Sequence, residues 1–354
     1  MKKAMIAMSG GVDSSAAAFL MKEQGYECTG INMRLYQNED AGLDCRNTCC
    51  SLDDVEDARR VAYGLGIPFY VFNFKEEFKK EVIGRFVTAY ENGITPNPCI
   101  DCNRYIKFEK LYQRAMQLGF DCLVTGHYAR IEKKEDRYLL KKAVDETKDQ
   151  SYVLYSMTQE QLSRTRFPLG EFCKTETRKL AESHELINAD KPDSQDICFV
   201  PDGDYAKVIE IQTHKTYPPG DFVDMQGNVL GRHKGIIRYT IGQRKGLGVT
   251  SPDPLYVCKI CPETNTIVLG KNEDLYTRTL TASQMNWIAW DIPPQTFRTK
   301  AKIRYKQKEQ WATIQVLDLD HISLVFDEPQ RAITKGQAVV LYDKDIVLGG
   351  GIIS

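Results

Sequence analysis

Ser9-Gly10-Gly11-Val12-Asp13-Ser14-Ser15 stands between the apolar run Ala4-Met5-Ile6-Ala7-Met8 and the segment Ala16-Ala17-Ala18-Phe19-Leu20-Met21. That order reads as buried strand, glycine turn, helix. Glycine has no Cβ, so the backbone of such a turn can come close to a ligand. The turn's amides and the first amides of the helix lack partners within the helix and can receive an anion. Ser9, Ser14 and Ser15 add hydroxyl donors. The expected guest is a phosphate chain. A plainer reading makes Asp13 and Ser14 helix N-caps. The spacing is not Walker A, which needs a Lys-Ser/Thr pair after its glycines. It is not the dinucleotide fingerprint G-x-G-x-x-G either.

Outward from this turn the first half alternates strands and helices. Tyr26 to Leu35 reads as a strand, and Asp53-Asp54 start a helix through Ala58, Val61 and Ala62. Ile67 to Phe72 reads as a buried strand and Lys75 to Tyr90 as an amphipathic helix. A loop from Glu91 to Asn103 precedes a helix at Phe108 to Leu118 and a strand at Cys122 to Thr125. This is the order of an α/β fold, a parallel sheet with helices on both faces, which binds ligands at the carboxyl ends of its strands. After about Cys198 the texture changes. Gly220 to Val249 is rich in glycine and basic residues, and from Leu255 short strands alternate with turns. The expected division is a nucleotide-binding catalytic domain at 1–200, a small β-rich domain at 201–272 and a C-terminal β-barrel at 273–354.

Length and composition agree with this: 354 residues suit two or three domains, and 42% hydrophobic with 27% charged residues reads as soluble and globular. No apolar run approaches membrane length, so no membrane partner is expected. The first apolar run is too short for a signal peptide. Eleven cysteines without such a signal point to the cytosol, where they serve chemistry or metals more often than structural disulfides. A net charge of -1 means that nucleic-acid binding would need a local basic face.

One such face is legible. From Arg298 to Lys308 every even position is Lys or Arg, while the odd positions are mostly apolar or small. On a strand, alternate residues share a face. The expectation is a basic ridge that contacts nucleic acid, with a bulge or break because the run is long for one strand. The alternative is a solvated edge guarded by lysines.

Three cysteines stand apart. Cys99 and Cys102 lie in Asn97-Pro98-Cys99-Ile100-Asp101-Cys102-Asn103, and Cys198 in Asp193-Ser194-Gln195-Asp196-Ile197-Cys198-Phe199. A C-x-x-C pair can bind zinc, form a redox disulfide or ligate an iron–sulfur cluster. The trio lacks a fourth ligand for zinc. It suits either a cluster with one open iron or a pair of thiols that hand sulfur between them. Cys45, Cys49 and Cys50 have no His or fourth Cys nearby and read as structural. Cys28, Cys122, Cys173, Cys258 and Cys261 read as ordinary strand or surface residues.

Ser9 to Ser15 resembles the SGGxDS PP-loop of the ATP pyrophosphatases, which cut ATP between its α- and β-phosphates. Asn97-Pro98 with Cys102-Asn103, Thr125-Gly126-His127-Tyr128, Lys148 to Tyr152, Ser194 to Phe199 and Leu348 to Ile353 extend the likeness over the whole chain. Together they resemble the tRNA-uridine 2-sulfurtransferases, the tRNA 2-thiouridylase family. The resemblance implies that Ala7, Met8, Ser9, Gly10, Gly11, Val12, Asp13, Ser14, Met33 and Gly126 hold ATP, with Mg2+ on its phosphates. It implies that the wobble uridine of tRNA enters near Asn97, Pro98 and Cys99. His127, Lys148, Asp149, Gln150, Arg304, Tyr305 and Gln337 match tRNA-contacting positions. Cys198 would carry a persulfide supplied by a sulfur-donor protein, and Cys102 would be the partner thiol that can end in a disulfide with it. Because an unperturbed thiol is only a few per cent thiolate at pH 7, the site is expected to lower the pKa of Cys102. A monomer is expected. One departure bears on mechanism: many members carry Asp where this chain has Cys99, and the nearest acid here is Asp101. The change also makes Cys99, Cys102 and Cys198 a candidate ligand set for a [4Fe-4S] cluster, as in related thiolases. Two other functions compete. A PP-loop ligase of a small molecule explains the turn but not the ridge or the cysteines. A non-catalytic RNA-binding protein explains the ridge but leaves Cys102 and Cys198 idle.

Overall fold

The computed structural model describes residues 1–36, 52–192, 197–200 and 203–354. The first strands are β1 (Lys3–Ala7), β2 (Glu27–Arg34), β3 (Phe69–Asn73) and β4 (Cys122–Val124). A hairpin of β5 (Ala129–Lys134) and β6 (Arg137–Lys142) follows, then the short β7 (Thr165–Arg166). Five of these make a parallel sheet in the order β3-β2-β1-β4-β7. The alternation along β1 explains why it lies in the middle. Ala4, Ile6 and Met8 pack with Ala16, Ala17 and Val61 of helices α1 (Val12–Glu23) and α2 (Leu52–Gly64). Met5 and Ala7 pack on the other face with Phe78, Phe86, Phe108 and Leu111. A strand covered on both faces reads as a continuous apolar run. The order turns back between β1 and β4, which opens a crevice at their carboxyl ends.

Two local readings change, and a third holds with a local variation in its winding. The third strand is an edge, with Tyr70 58% and Val71 40% exposed, not a buried strand. The helix expected from Lys75 is there, as Lys75–Phe78, Lys79–Gly84 and Arg85–Glu91, its middle piece wound in the wider π form. The loop expected to run to Asn103 ends earlier, because a helix starts at Pro98. Asn97 caps it, its Oδ1 accepting from Cys99 N at 3.2 Å, and proline fills the first helical position. The run continues as Cys102–Leu111 and Tyr112–Gln117. Cys99 and Cys102 therefore sit one turn apart on a helix, not in a loop.

The middle segment forms its own sheet from β8 (Gly220–Val223), β9 (Val229–His233), β10 (Tyr256–Cys261) and β11 (Thr266–Gly270). Phe222, Tyr239, Val257, Ile267 and Leu269 fill its core. Strands β12 (Tyr276–Trp287), β13 (Thr296–Lys302), β14 (Gln310–Val316), β15 (Ile322–Arg331), β16 (Ala338–Asp343) and β17 (Ile346–Ile353) are antiparallel neighbours. Pairing of β12 with β17 closes them into the expected barrel. The hairpin β5–β6 joins the barrel through Ile346 opposite Lys141. Arg130 donates to Asp345 at 2.9 Å across the same seam. No helix among the described residues is long and apolar enough to cross a membrane.

Candidate active site

The glycine turn lies where the crevice opens. Gly10 has φ +83°, and a Cβ there would overlap the backbone carbonyl of Asp54. Helix α1 starts after Gly11 with no side-chain cap, so its first amides face the crevice without a competing carboxylate or hydroxyl. The N-cap reading of Asp13 and Ser14 thus falls away. The hydroxyls are partly spent inside the turn. Ser14 Oγ donates to Gly11 O at 2.9 Å and accepts from Ser9 N at 3.2 Å, and Ser15 Oγ donates to Gly11 O at 3.2 Å. Ser15 is fully buried; Ser9 is the exposed hydroxyl of the three. Gly126 follows β4 and closes the floor, since a Cβ on it would lie 2.8 Å from Ser14 N. Met33, near the carboxyl end of β2, is partly buried against the main core. The proposed nucleotide residues are therefore gathered at one end of the sheet.

Asp13 has partners that the sequence did not signal. Lys174 Nζ donates to its two oxygens at 2.6 and 2.8 Å, and the Tyr128 hydroxyl donates at 2.9 Å. Lys174 is 10% exposed at its side chain and Asp13 32%. Replacing Lys174 by Met is expected to cost about 2 kcal/mol of stability, below the 3–5 kcal/mol of a fully buried pair because Asp13 keeps some water. Denaturant unfolding at pH 7 measures it, and Lys174→Arg should recover most of the loss.

Two residues that precede the Cys198 segment in the chain bond to this turn or to the helix beside it. Asn188 Nδ2 donates to Gly10 O and to Ser15 Oγ, each at 2.9 Å. Lys191 Nζ reaches Asp54 at 2.5 Å, Asp57 at 2.8 Å and Gly10 O at 3.4 Å. Phe199, next to Cys198, packs edge-on against Phe78 and Phe86, with centroids 5.8 and 5.3 Å away. The Tyr36 hydroxyl donates to the Cys198 carbonyl. Cys198 and Cys102 are both partly buried against the core that holds these aromatics, whereas Cys99 is exposed. The aromatic core covers part of each. Ser194, Gln195 and Asp196 lie outside the described residues, as do Cys45, Cys49 and Cys50.

No group of three His, Cys, Asp or Glu side chains among the described residues could hold a metal ion. Cys99, Cys102 and Cys198 are thus not assembled as cluster ligands. Asp101 cannot stand in for an acid at position 99, because helical residues two apart face different ways. It turns toward Arg85 and Arg104. Burial pushes its carboxyl up to about 6, against the pull of both arginines. The folded state thus favours the protonated acid. Stability from this group is fully present below the unfolded pKa near 4 and fades as pH rises through about 6. Asp101→Asn is expected to flatten the stability–pH curve between about pH 4 and 6, as followed by thermal melts.

The residues matched to tRNA contacts divide in two. Arg304, Tyr305, Gln337 and the stretch Thr95 to Cys99 meet where the barrel touches the first domain. Gln337 Nε2 donates to Thr95 O at 2.8 Å and Pro96 O at 3.2 Å, which positions the turn ahead of Cys99. Tyr305 is 36% exposed. Its hydroxyl is pushed up to about 12, by burial first and then by Asp149 and Cys99 beside it. The second group is inward. Asp149 Oδ1 accepts from Ala143 N and Ser151 N, each at 3.1 Å, and Gln150 Oε1 accepts from Tyr128 N at 2.9 Å. Lys148, next in line, bonds through its backbone N to Asp145 O at 3.1 Å. His127 is 7% exposed, packed on Phe108 and Phe167 with Nδ1 2.7 Å from Thr125 Oγ1. Burial, with Lys107 adding to it, holds His127 well below its usual range, so it is neutral.

The basic run is broken, as its length led one to expect. Strand β13 ends at Lys302, and Arg304 folds back to donate to Ala332 O at 2.7 Å and Thr334 Oγ1 at 3.2 Å. Arg298 and Lys300 remain on the outer face, and Lys302 lies against Tyr152 and Tyr305.

A parallel sheet with an uncapped glycine turn at its switch point defines a nucleotide-using enzyme of the PP-loop type. Family models match residues 2–202 as a tRNA methyl transferase HUP domain, 209–271 as a tRNA methyl transferase PRC-barrel domain and 277–353 as an aminomethyltransferase beta-barrel domain. The chain is 54% identical to tRNA-specific 2-thiouridylase MnmA of Clostridioides difficile, over 99% of this chain and 98% of that protein. It is 52% identical to the protein of the same name from Acetivibrio thermocellus, over 99% of each. A 4-thiouridine synthetase–RNA complex with bound ATP resembles it distantly, at 17% identity and TM-score 0.37, over 60% of this chain and 52% of that one. The chain belongs to the tRNA-specific 2-thiouridylase family.

Proposed function

We propose that the chain replaces O2 of the wobble uridine of tRNA by sulfur, at the expense of ATP. The observation that carries this reading is that Cys102 and Cys198 are both partly buried against the core that Met5 and Ala7 enter just before the glycine turn. ATP lies with its phosphates on the amides after Gly11. The uridine C2 oxygen attacks the α-phosphate, and pyrophosphate leaves. The carbonyl oxygen, a poor leaving group, becomes part of AMP, a good one. A donor protein loads Cys198 as a persulfide. Its terminal sulfur attacks C2 and AMP departs, leaving the base joined to Cys198 through two sulfurs. The Cys102 thiolate then attacks Cys198 Sγ, breaks the S–S bond and leaves one sulfur on the base. The resulting Cys102–Cys198 disulfide is reduced by an external thiol, which suits a cytosolic setting.

Mg2+ brought with ATP would be met by the Asp13 carboxylate, a hard oxygen donor at the cradle, and would neutralise charge on the departing pyrophosphate. Phosphates and water would complete its shell. No step runs through an iron–sulfur cluster. Arg304, Tyr305 and Asn97 to Cys99 receive the base at the mouth. Asp149, Gln150 and Gln337 act by holding the backbone around it, and His127 packs behind them on Phe108 and Phe167. Tests of tRNA-dependent release of pyrophosphate decide between the functions. Release with unmodified tRNA is expected, and release with small carboxylic acids but not with tRNA would sink the reading.

A further inference from the structure

The outer face of the barrel carries a large aromatic side chain that the fold does not use. Trp311 on β14 is 48% exposed, while its neighbour Ala312 is fully buried. The strand therefore turns the indole away from the barrel core. Its cross-strand partner is Lys300. The Arg298 guanidinium and the Lys300 ammonium each lie 5.5 Å from the ring centroid. Thr313 and Val325 extend the exposed face. Asp327 is the acid at its margin and is held by Arg298. The adjoining Glu328 lies 3.9 Å from Arg278.

This patch is continuous with the mouth of the site. Lys302 shares the face of Arg298 and Lys300 and lies 5.8 Å from the ring centroids of both Tyr152 and Tyr305. Tyr305 in turn stands beside Cys99. At about 3.3 Å per residue, Lys300 is about 7 Å and Arg298 about 13 Å outward from Lys302 along the strand. Cations and aromatics line the path, with Asp149 and Glu309 as the acids that face Lys302.

We propose that this path is an RNA-binding track and that Trp311 stacks on an unpaired base of the substrate RNA outside the reacting nucleotide. The inference rests on the reading of tRNA as substrate. Cations follow a phosphate backbone, and an aromatic face accepts any base, so the combination fits a single-stranded stretch. A duplex gripped through its phosphates has no use for an exposed indole.

The test uses the full chain with W311A, W311F and K300Q, and unmodified tRNA at several salt concentrations. W311A is expected to weaken binding about five- to tenfold with the salt slope unchanged, because stacking releases no counterions. W311F should stay within about twofold of the parent, since a phenyl ring also stacks. K300Q should lower the slope by about one. Melting temperatures should match, as these side chains lie on the outer face. Equal tRNA affinity of W311A and the parent overturns the inference. So does a W311A defect that appears only when sulfur arrives on a carrier protein, which would make the patch a protein-docking surface. If the parent neither binds nor adenylates tRNA, the underlying reading falls instead. A parent active on tRNA beside a W311A of unchanged affinity removes the track alone.

Discussion

Cys198→Ser is expected to abolish thiolation while tRNA-dependent pyrophosphate release continues. A serine oxygen cannot carry a transferable sulfur, so the loss should reach at least about a thousandfold, the scale seen when a covalent nucleophile is removed. Adenylation should survive, because the amides after Gly11 that meet the phosphates do not involve this side chain. The segment should keep its place as well, since Phe199 packs on Phe78 and Phe86. Cys102→Ser is expected to lose turnover for a different reason. Sulfur would reach the base and stay joined to Cys198, so a tRNA adduct that a reductant cleaves should build up. Cys99→Ser should retain most activity, since Cys99 is exposed and belongs to no ligand set among the described residues. Paired assays of pyrophosphate release and thiouridine content read all three variants. Full thiolation by Cys198→Ser would end the persulfide route.

The contrast between these residues also shows what could be read in the chain. Local patterns placed the strand–turn–helix at Ser9, because its chemistry is contained in seven neighbours. They placed the barrel for the same reason: each of its strands alternates by itself. Lys174, Asn188 and Lys191 escaped, since nothing in their own neighbourhoods marks them. Their meaning comes from partners more than 130 positions away, at Asp13, Gly10 and Asp54. Arg304 shows the opposite failure. Its alternation holds and the length of the run calls for a break, but a strand pattern carries no record of where that break falls. A turn after Lys302 sent the side chain to Ala332 and Thr334. Asn97 caps a helix through Cys99 N, and a single Asn-Pro pair does not by itself mark the helix that sets Cys99 and Cys102 one turn apart.

The two glycines of the turn should respond in opposite ways, and that difference separates fold from ligand binding. At Gly10 an alanine meets two penalties. The positive φ of +83° disfavours any L side chain, and the Cβ would strike the Asp54 carbonyl. Left-handed backbone costs about 1–2 kcal/mol and overpacking about 1–3 kcal/mol, so Gly10→Ala is expected to lose about 2–5 kcal/mol of stability before any ligand is added. At Gly11 the backbone is extended, φ -89° and ψ 160°, which any residue adopts. The nearest atom to an added Cβ is Ser9 Oγ at 3.6 Å, an ordinary contact. Gly11→Ala should therefore unfold within about 1 kcal/mol of the parent chain, or slightly above it, since alanine has less freedom to lose on folding. Its cost should appear only with ATP. A methyl group at the mouth of the cradle keeps the phosphates off the first amides of α1, so the KM for ATP should rise at least about tenfold, the equivalent of about 1.4 kcal/mol. Denaturant unfolding without ligand and pyrophosphate release against ATP concentration give the two readings separately. Equal loss of stability in both variants would mean that the second glycine serves packing, and that the phosphates lie elsewhere in the crevice.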